Sequence, residues 1–460
     1  MKDPRFFLAL ILSRLTQKIL CLFSCFGGGS APGLLALKID PRFISKQRPL
    51  FQAHIVVSGT NGKTTTTRMI SAILKANHLS HVHNRSGSNL LRGIASALIK
   101  NRSLFKNQTK PLGLWEVDEA VLPHALKSLK PQIVILTNLF RDQLDRYGEI
   151  DTLAKKWLLA LKKLNKQSLI ILNGDDATLI ALGKELKKQV VFFGIRDPKI
   201  GEKTPAHAAD ATFCPACLKP FKYDQVFYSH LGKFSCPCGF QQPPLTIKAK
   251  QIQQKPQSLI IKGTVNSESF KINLPTIGLF NVYNLLAALA VAQALKLDRQ
   301  ITQTALANFK PVFGRMETIK YQQKIIKLML VKNPAGFNQV IKTLEREAQK
   351  SALVLVAIND KLADGTDVSW LWDVDFEILT KSLKNYLITG NRAWDMAVRL
   401  KYANCKPENI QIINTNIRQV LEKALKSKFK QLYILPTYTA MLEIRNILNQ
   451  WGLVHSSWQD

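Results

Sequence analysis

The stretch Val56-Val57-Ser58-Gly59-Thr60-Asn61-Gly62-Lys63-Thr64-Thr65-Thr66-Thr67 sets the strongest limit on what this chain can fold into. The run His54 to Ser58 reads as a strand, two glycines bound a turn, and a helix starts near Lys63. That order builds a phosphate cradle. Gly59 and Gly62 let the backbone approach anionic oxygens, and the helix N-terminus turns free N–H groups and its positive dipole end toward them. Lys63 can reach the β- and γ-phosphates, and Thr64 or Thr65 can ligate Mg²⁺. Thr60 and Asn61 complete the expected nucleotide-binding set. The spacing is not that of an ordinary Walker A, because only two residues separate Gly59 from Gly62.

Around the cradle, apolar runs alternate with helical patterns. Strands are expected at 53–58, 112–118, 132–137, 168–172 and 189–193, and helices at 63–77, 89–99, 152–164 and 176–185. This alternation predicts a parallel sheet covered on both faces, with ligands beyond the carboxyl ends of its strands. Strand-like segments return at 258–274, followed by a helix at 281–295. A second alternation, with strands near 353–358, 386–389 and 431–435, predicts a smaller Rossmann-like α/β domain. The expected division is a helical N-terminal segment at 1–45, a central ATP-binding domain at 46–315 and a C-terminal domain at 316–460. The 460 residues are too many for one core.

An insert at about 205–245 interrupts the central domain. It carries Cys214-Pro215-Ala216-Cys217 and, eighteen residues on, Cys236-Pro237-Cys238-Gly239. Four thiolates in two close pairs suit a closed tetrahedral Zn²⁺ shell, structural rather than catalytic. Free thiols or two disulfides are the alternative. Three further Cys are scattered, and an odd total of seven fits a reducing cytoplasm better than a disulfide framework.

Further candidates follow the strands. Glu116, in Leu114-Trp115-Glu116-Val117-Asp118-Glu119, ends an apolar strand where its carboxylate can hold Mg²⁺. Thr137-Asn138 opens a segment that runs through Asp142-Gln143-Leu144-Asp145 to Gly148. Leu172-Asn173-Gly174-Asp175-Asp176 comes next, then Gly278-Leu279-Phe280-Asn281-Val282-Tyr283-Asn284, then Phe313-Gly314-Arg315-Met316-Glu317. Together with GTNGKTTT these resemble, in order, the motifs of the Mur ligase family. The family consists of ATP-dependent ligases that join a carboxylate to an amine. The resemblance implies nucleotide contacts from Asn173, Asp175, Asn281, Asn284 and Arg315. Gln143 stands where many members have His. Lys332-Asn333-Pro334 resembles the family's H-N-P region or is an ordinary turn.

The most specific string is Asn359 to Asp373, with Asp360, Asp364, Asp367 and Asp373 and two Trp. With the Mur-type centre and the four-Cys ribbon, it resembles the branch of the family that amidates lipid II in a two-subunit enzyme. That resemblance implies ATP, Mg²⁺ and Zn²⁺ as cofactors and a partner glutaminase of the GatD type that supplies ammonia. It implies phosphorylation of the α-carboxylate of D-Glu in the stem peptide, then displacement of phosphate by ammonia. It also implies that Asp367 orients a His of the partner, with Lys63 and Glu116 acting in the synthetase site. The alternatives are a Mur-type ligase that adds an amino acid, and a basic zinc-ribbon NTPase that binds nucleic acid.

Sixty-four Lys and Arg against thirty-two Asp and Glu give a net charge of +32. This favours anionic partners, including an acidic membrane leaflet, or reflects a generally basic composition. Leu8, Ile11, Leu12, Leu15, Ile19 and Leu22 follow helical spacing, with Arg14, Gln17 and Lys18 opposite. This amphipathic helix is expected to pack on the body of the protein; the alternative is that it rests on a membrane surface. No uncharged stretch suits a bilayer span. A cytoplasmic protein is expected, peripheral at the inner membrane face if the helix rests there.

Overall fold

A computed structural model of the chain describes residues 3–22, 30–84, 88–101, 109–141, 150–205, 209–310, 315–413 and 416–454. The Asp142 to Gly148 part of the sequence motif, and Phe313 and Gly314, lie outside the described residues.

The larger sheet has nine strands. In chain order these are β1 (His54–Ser58), β2 (His81–His83), β3 (Leu112–Glu116), β4 (Ile133–Leu136), β5 (Leu169–Asn173) and β6 (Val190–Ile195). After a separate hairpin, β7 (Lys222–Tyr228) with β8 (Leu231–Ser235), come β9 (Ile247–Gln254), β10 (Leu259–Val265) and β11 (Glu268–Leu274). The spatial order is β11-β10-β9-β6-β5-β4-β1-β3-β2. From β2 to β9 every pairing is parallel; β10 and β11 run antiparallel at the edge. The chain goes to one side of β1 for β2 and β3, then to the other for β4 to β6. The strand order therefore reverses at β1, which opens a crevice above its carboxyl end.

β1, β3 and β4 are buried along their whole length. Covering helices explain this, since a parallel sheet cannot leave a face to water. One face packs on the helices Lys63–Ala76 and Phe280–Ala294, through Ile55, Val57, Ile73, Val282 and Leu286. The other packs, through Val56, Trp115, Val134 and Trp157, on the N-terminal helices and Ile150–Lys162. The helices met first in the chain are α1 (Pro4–Leu22), α2 (Ala31–Ile39), α3 (Phe43–Gln47), α4 (Lys63–Ala76) and α5 (Leu91–Lys100).

The second sheet has six strands: β12 (Arg315–Tyr321), β13 (Lys324–Met329), β14 (Leu353–Ala357), β15 (Asn385–Thr389), β16 (Ile410–Ile412) and β17 (Gln431–Pro436). Their order is β12-β13-β17-β14-β15-β16, parallel except for the first hairpin. An apolar layer covers each face.

Two elements depart from the sequence reading, the segment after Val331 and the N-terminal helix, while the strand-like segments at 258–274 are found as such. The segment after Val331 is not a plain turn but the start of a helix, Pro334–Glu347. Asn333 caps it, accepting from Gly336 N–H at 2.9 Å, and Pro334 occupies the first turn. The 258–274 region is two strands joined by a tight turn at Asn266 and Ser267, both at positive φ. The N-terminal helix does pack on the body, but through Ala9, Leu10 and Ser13. Leu8, Ile11, Leu12, Leu15 and Ile19 of the expected apolar stripe face outward.

Candidate functional site

The cradle sits at the carboxyl end of β1. Gly59 has φ +130° and Gly62 φ +87°. A Cβ on Gly59 would lie 2.2 Å from Thr137 Oγ1, and one on Gly62 would lie 2.1 Å from Asn284 Oδ1. Both positions therefore need glycine for conformation and for space. Gly62→Ala should misplace the N-terminus of α4 and weaken nucleotide binding at least about tenfold, measured by calorimetric titration.

The turn is held from several sides. Thr60 N–H donates to Asn138 O, and Asn61 N–H donates to Asn138 Oδ1 at 2.8 Å. Asn61 O accepts from Thr137 Oγ1 and Asn138 Nδ2. Asn61 Nδ2 donates to Tyr228 Oη at 3.1 Å, and Asn61 Oδ1 accepts from Asn333 Nδ2 at 3.1 Å. One side chain thus joins the cradle, the β7–β8 hairpin and the cap of the first C-terminal-domain helix. The Asn-Gly of the turn signalled a bend but nothing of these long-range ties.

Two polar groupings meet at the start of α4, one of them an ion pair. Lys63 Nζ donates to Gly59 O at 2.6 Å and pairs with Glu119 Oε2 at 2.7 Å, both side chains nearly buried. Thr64 Oγ1 donates to Glu116 Oε1 at 2.9 Å. A hydroxyl and a carboxylate, both hard oxygen donors at the cradle, suit Mg²⁺. Asn84 clamps the Glu116 backbone on both sides, accepting from its N–H and donating to its C=O. Glu119 was not singled out from the sequence; the signal was a second carboxylate three residues past a strand end.

The other expected nucleotide residues take several positions. Thr65 is buried on α4. Asn284 Oδ1 accepts from Thr66 Oγ1, while Asn284 Nδ2 donates to Asn281 Oδ1 and Asn281 is tied to Thr276. Asn284 lies against Gly62 and, braced by Asn281, supports the turn. Asn173 Nδ2 donates to Thr137 O, and its Oδ1 accepts from Asp175 N–H. Asp175 is fully buried and accepts from Arg196, Tyr283, Gln242 and Ile195 N–H. Burial pushes its carboxyl up, opposed by Arg196. Asn173 and Asp175 therefore spend these polar atoms on the protein frame. Arg315 opens β12 opposite Met329.

In the insert, Cys214, Cys217, Cys236 and Cys238 bring their sulfurs within 4.8 Å of one another. Cys214 and Cys238 are 3.6 Å apart, Cys217 and Cys236 3.4 Å. Tetrahedral zinc with bonds of about 2.3 Å sets sulfurs about 3.8 Å apart, so the donor set fits that ion. Leu218 and Gly239, both at positive φ, turn the two knuckles. Phe221, Phe234 and Phe240 pack the ribbon onto Ala177 and Ile180 of the helix Ala177–Lys184.

The Asp-rich loop divides. Asp364 is buried and accepts from the Thr439 N–H and hydroxyl, fastening the loop to the helix Tyr438–Gln450. Burial raises its carboxyl. Asp367 is exposed, and its contacts are to its own loop: Ser369 N–H and Oγ, both at 2.8 Å. Leu362, Trp372, Trp394 and Tyr402 expose apolar surface on the same domain. Asp373 approaches Arg141 of the central domain at 3.6 Å, and Asp360 approaches Arg392 at 3.7 Å.

Sequence profiles match twice: the Mur ligase middle domain over residues 57–230 and the MurT ligase C-terminal domain over 330–441. The chain is 32% identical over 425 residues to the lipid II isoglutaminyl synthase (glutamine-hydrolyzing) subunit MurT of Staphylococcus aureus, covering 92% of this chain and 93% of that one. The Streptococcus pneumoniae counterpart is 32% identical over 423 residues, with 92% of each chain covered. Among solved structures, a pseudomurein peptide ligase type C from Methanothermus fervidus superposes with a TM-score of 0.71 at 22% identity. It covers 89% of this chain and 81% of that one.

Proposed function

The chain belongs to the MurT family, and on that premise we propose that it is the synthetase subunit of a lipid II isoglutaminyl synthase, amidating the D-Glu α-carboxylate of the stem peptide. A carboxylate oxygen attacks the γ-phosphorus of ATP, ADP leaves, and an acyl phosphate forms. Ammonia attacks the acyl carbon, phosphate leaves, and the nitrogen gives up a proton. Lys63 and Arg315 offset charge on the transferring phosphoryl, and the N-terminus of α4 cradles the phosphates. Thr64 and Glu116 would hold Mg²⁺, which when bound neutralises phosphate charge. The convergence of Lys63, Thr64 and Glu116 on one turn at the sheet's switch point carries this reading. Asn173, Asp175, Asn281 and Asn284 serve by fixing that turn and the strand end beside it.

The ammonia comes from a GatD-type glutaminase seated on the C-terminal domain. Exposed Asp367, on a domain that also exposes Trp and Tyr side chains, supports that role, since aromatic anchors dominate docking surfaces. The purified chain, given lipid II, ATP and Mg²⁺, should form D-isoglutamine with ammonium ion, and with glutamine only when the glutaminase is added. Mass spectrometry of the stem peptide reads both. Product with an amino acid in place of ammonia would favour the ordinary ligase reading.

The four-Cys ribbon takes one structural Zn²⁺ per chain. Tyr228, on the hairpin between the two Cys pairs, bonds Asn61, so the ribbon steadies the cradle as well as itself. Metal analysis of reduced protein should find about one zinc. Cys214→Ser should lose it and lower the thermal midpoint by at least about 4 °C, the shift ~2 kcal/mol produces in a domain of this size. Nucleotide affinity should change less. Zinc-free protein with unaltered stability would end the assignment.

Among the described residues, no helix is long and apolar enough to cross a membrane. The chain works at the inner face of the membrane as a peripheral protein.

A further inference from the structure

We propose that the outward face of α1 is a bilayer-docking surface that lies flat in the headgroup layer of an anionic membrane. The inference rests on the lipid substrate proposed above for its reason and on the following geometry for its support. At about 100° per residue, a helix shows opposite faces to its neighbours and to water. Ala9, Leu10 and Ser13 of α1 are buried against the body. Phe7, Leu8, Ile11, Leu12, Leu15 and Ile19 occupy the other face and are 37–61% exposed. Leu34, on neighbouring α2, is exposed too.

The charges select the occupant. Arg14 and Lys18, expected opposite the stripe, instead flank it on one side and Arg5 flanks it on the other, all exposed, because Ala9, Leu10 and Ser13 take the opposite face. No acidic residue lies within α1. Residues 1–50 hold eight Lys or Arg against two Asp. Both of those, Asp3 and Asp40, pair with a single lysine, Lys46, at 2.5 and 2.7 Å. The outer face is therefore apolar in the middle and cationic at its margins. Long basic side chains at such margins reach up to headgroup phosphates while the apolar row sinks between acyl chains. A protein partner would need carboxylates placed to meet these three cations; an anionic leaflet offers headgroup phosphates everywhere.

The helix is also fixed relative to the site. α1 packs on α2 and α5, and α2 packs on α5. The α2–α5 contact is close: a Cβ on Gly33 would lie 1.9 Å from Arg92 O, and Gly33 N–H donates to Ser96 Oγ at 2.9 Å. α5 follows the segment whose Asn84 clamps Glu116. Docking through α1 thus sets how the crevice at β1 stands over the bilayer.

Flotation with vesicles tests this, using the full chain alone and in complex with its glutaminase. Vesicles of phosphatidylcholine alone are compared with vesicles that also contain phosphatidylglycerol. Wild type should bind the anionic vesicles at least about tenfold more tightly, less so at high salt. The double variant Ile11→Asn/Leu15→Asn should lose at least about tenfold of that binding, because the apolar row can no longer insert. Its thermal midpoint, and its ammonia-dependent amidation of detergent-dissolved lipid II, should match wild type. Unchanged vesicle binding in the variant overturns the proposal. So does binding by the chain alone that vanishes in the complex, or a chain dimer by light scattering that the variant dissolves, since a protein then covers the face. The vesicle assay needs neither ATP nor ammonia. A protein that docks but does not amidate lipid II would defeat the proposed function and leave this inference standing.

Discussion

Asp367→Asn should reduce glutamine-dependent amidation by the two-subunit enzyme about 10³-fold or more, while amidation driven by concentrated ammonium ion stays at the wild-type level. An acid that orients a His and stabilises its protonated form gives this magnitude when its charge is removed. The substitution keeps size and shape. Asp367 is exposed, and its acceptor bonds go to Ser369 of the same loop. An Asn oxygen can keep the bond from Ser369 N–H, so the loop need not move. The crevice that holds Lys63 and Glu116 belongs to the other sheet. The two half-reactions should therefore separate in one variant, read as glutamate released and isoglutamine formed. Asp360→Asn and Asp373→Asn are suitable controls. Asp364→Asn is not, because the buried Asp364 carboxylate fastens the loop to Thr439, and its loss would disturb the whole surface. Unaltered glutaminase activity in Asp367→Asn, or loss of ammonia-driven synthesis as well, would remove the trans-acting role.

The parts that were legible in the sequence are those with local causes. The strand–turn–helix at Gly59 to Lys63 follows from positive-φ glycines, and β1, β3, β4 and β5 follow from short apolar runs between turns. The four Cys come together because two tight knuckles and one hairpin are enough to do it. What could not be read depends on distance along the chain. Nothing local to Asn333 foretells its bond to Asn61, 272 residues away. Tyr228 lies on a hairpin 167 residues from Asn61, yet it reaches the cradle. Glu119 became notable only when α4 brought Lys63 beside it. Helical spacing revealed the stripe on α1 but not its direction. Small residues, Ala9 and Ser13, let the helix approach the body closely, and that leaves the large apolar side chains outside.

Lys63→Ala should abolish amidation from either nitrogen source, a loss of at least about 10³-fold, since charge on the transferring phosphoryl loses its closest cation. The buried Lys63–Glu119 pair complicates the test. Removing Lys63 alone strands a nearly buried carboxylate, which costs about 3–5 kcal/mol. Inactivity could then reflect a weakened fold. Lys63→Ala/Glu119→Gln removes both charges, so it should recover much of the lost thermal stability and remain inactive. That combination separates catalysis from folding. Glu116→Gln is the matching test of the metal position. The amide that replaces the Glu116 carboxylate can still bond Thr64, and Asn84 still clamps the backbone. Stability should hold while the Mg²⁺ concentration for half-maximal rate rises at least about tenfold, because a neutral amide is a poor ligand for a hard cation. Full ammonia-driven activity in the Lys63 double variant, or an unchanged Mg²⁺ requirement in Glu116→Gln, would place the phosphoryl-transfer site elsewhere in the chain.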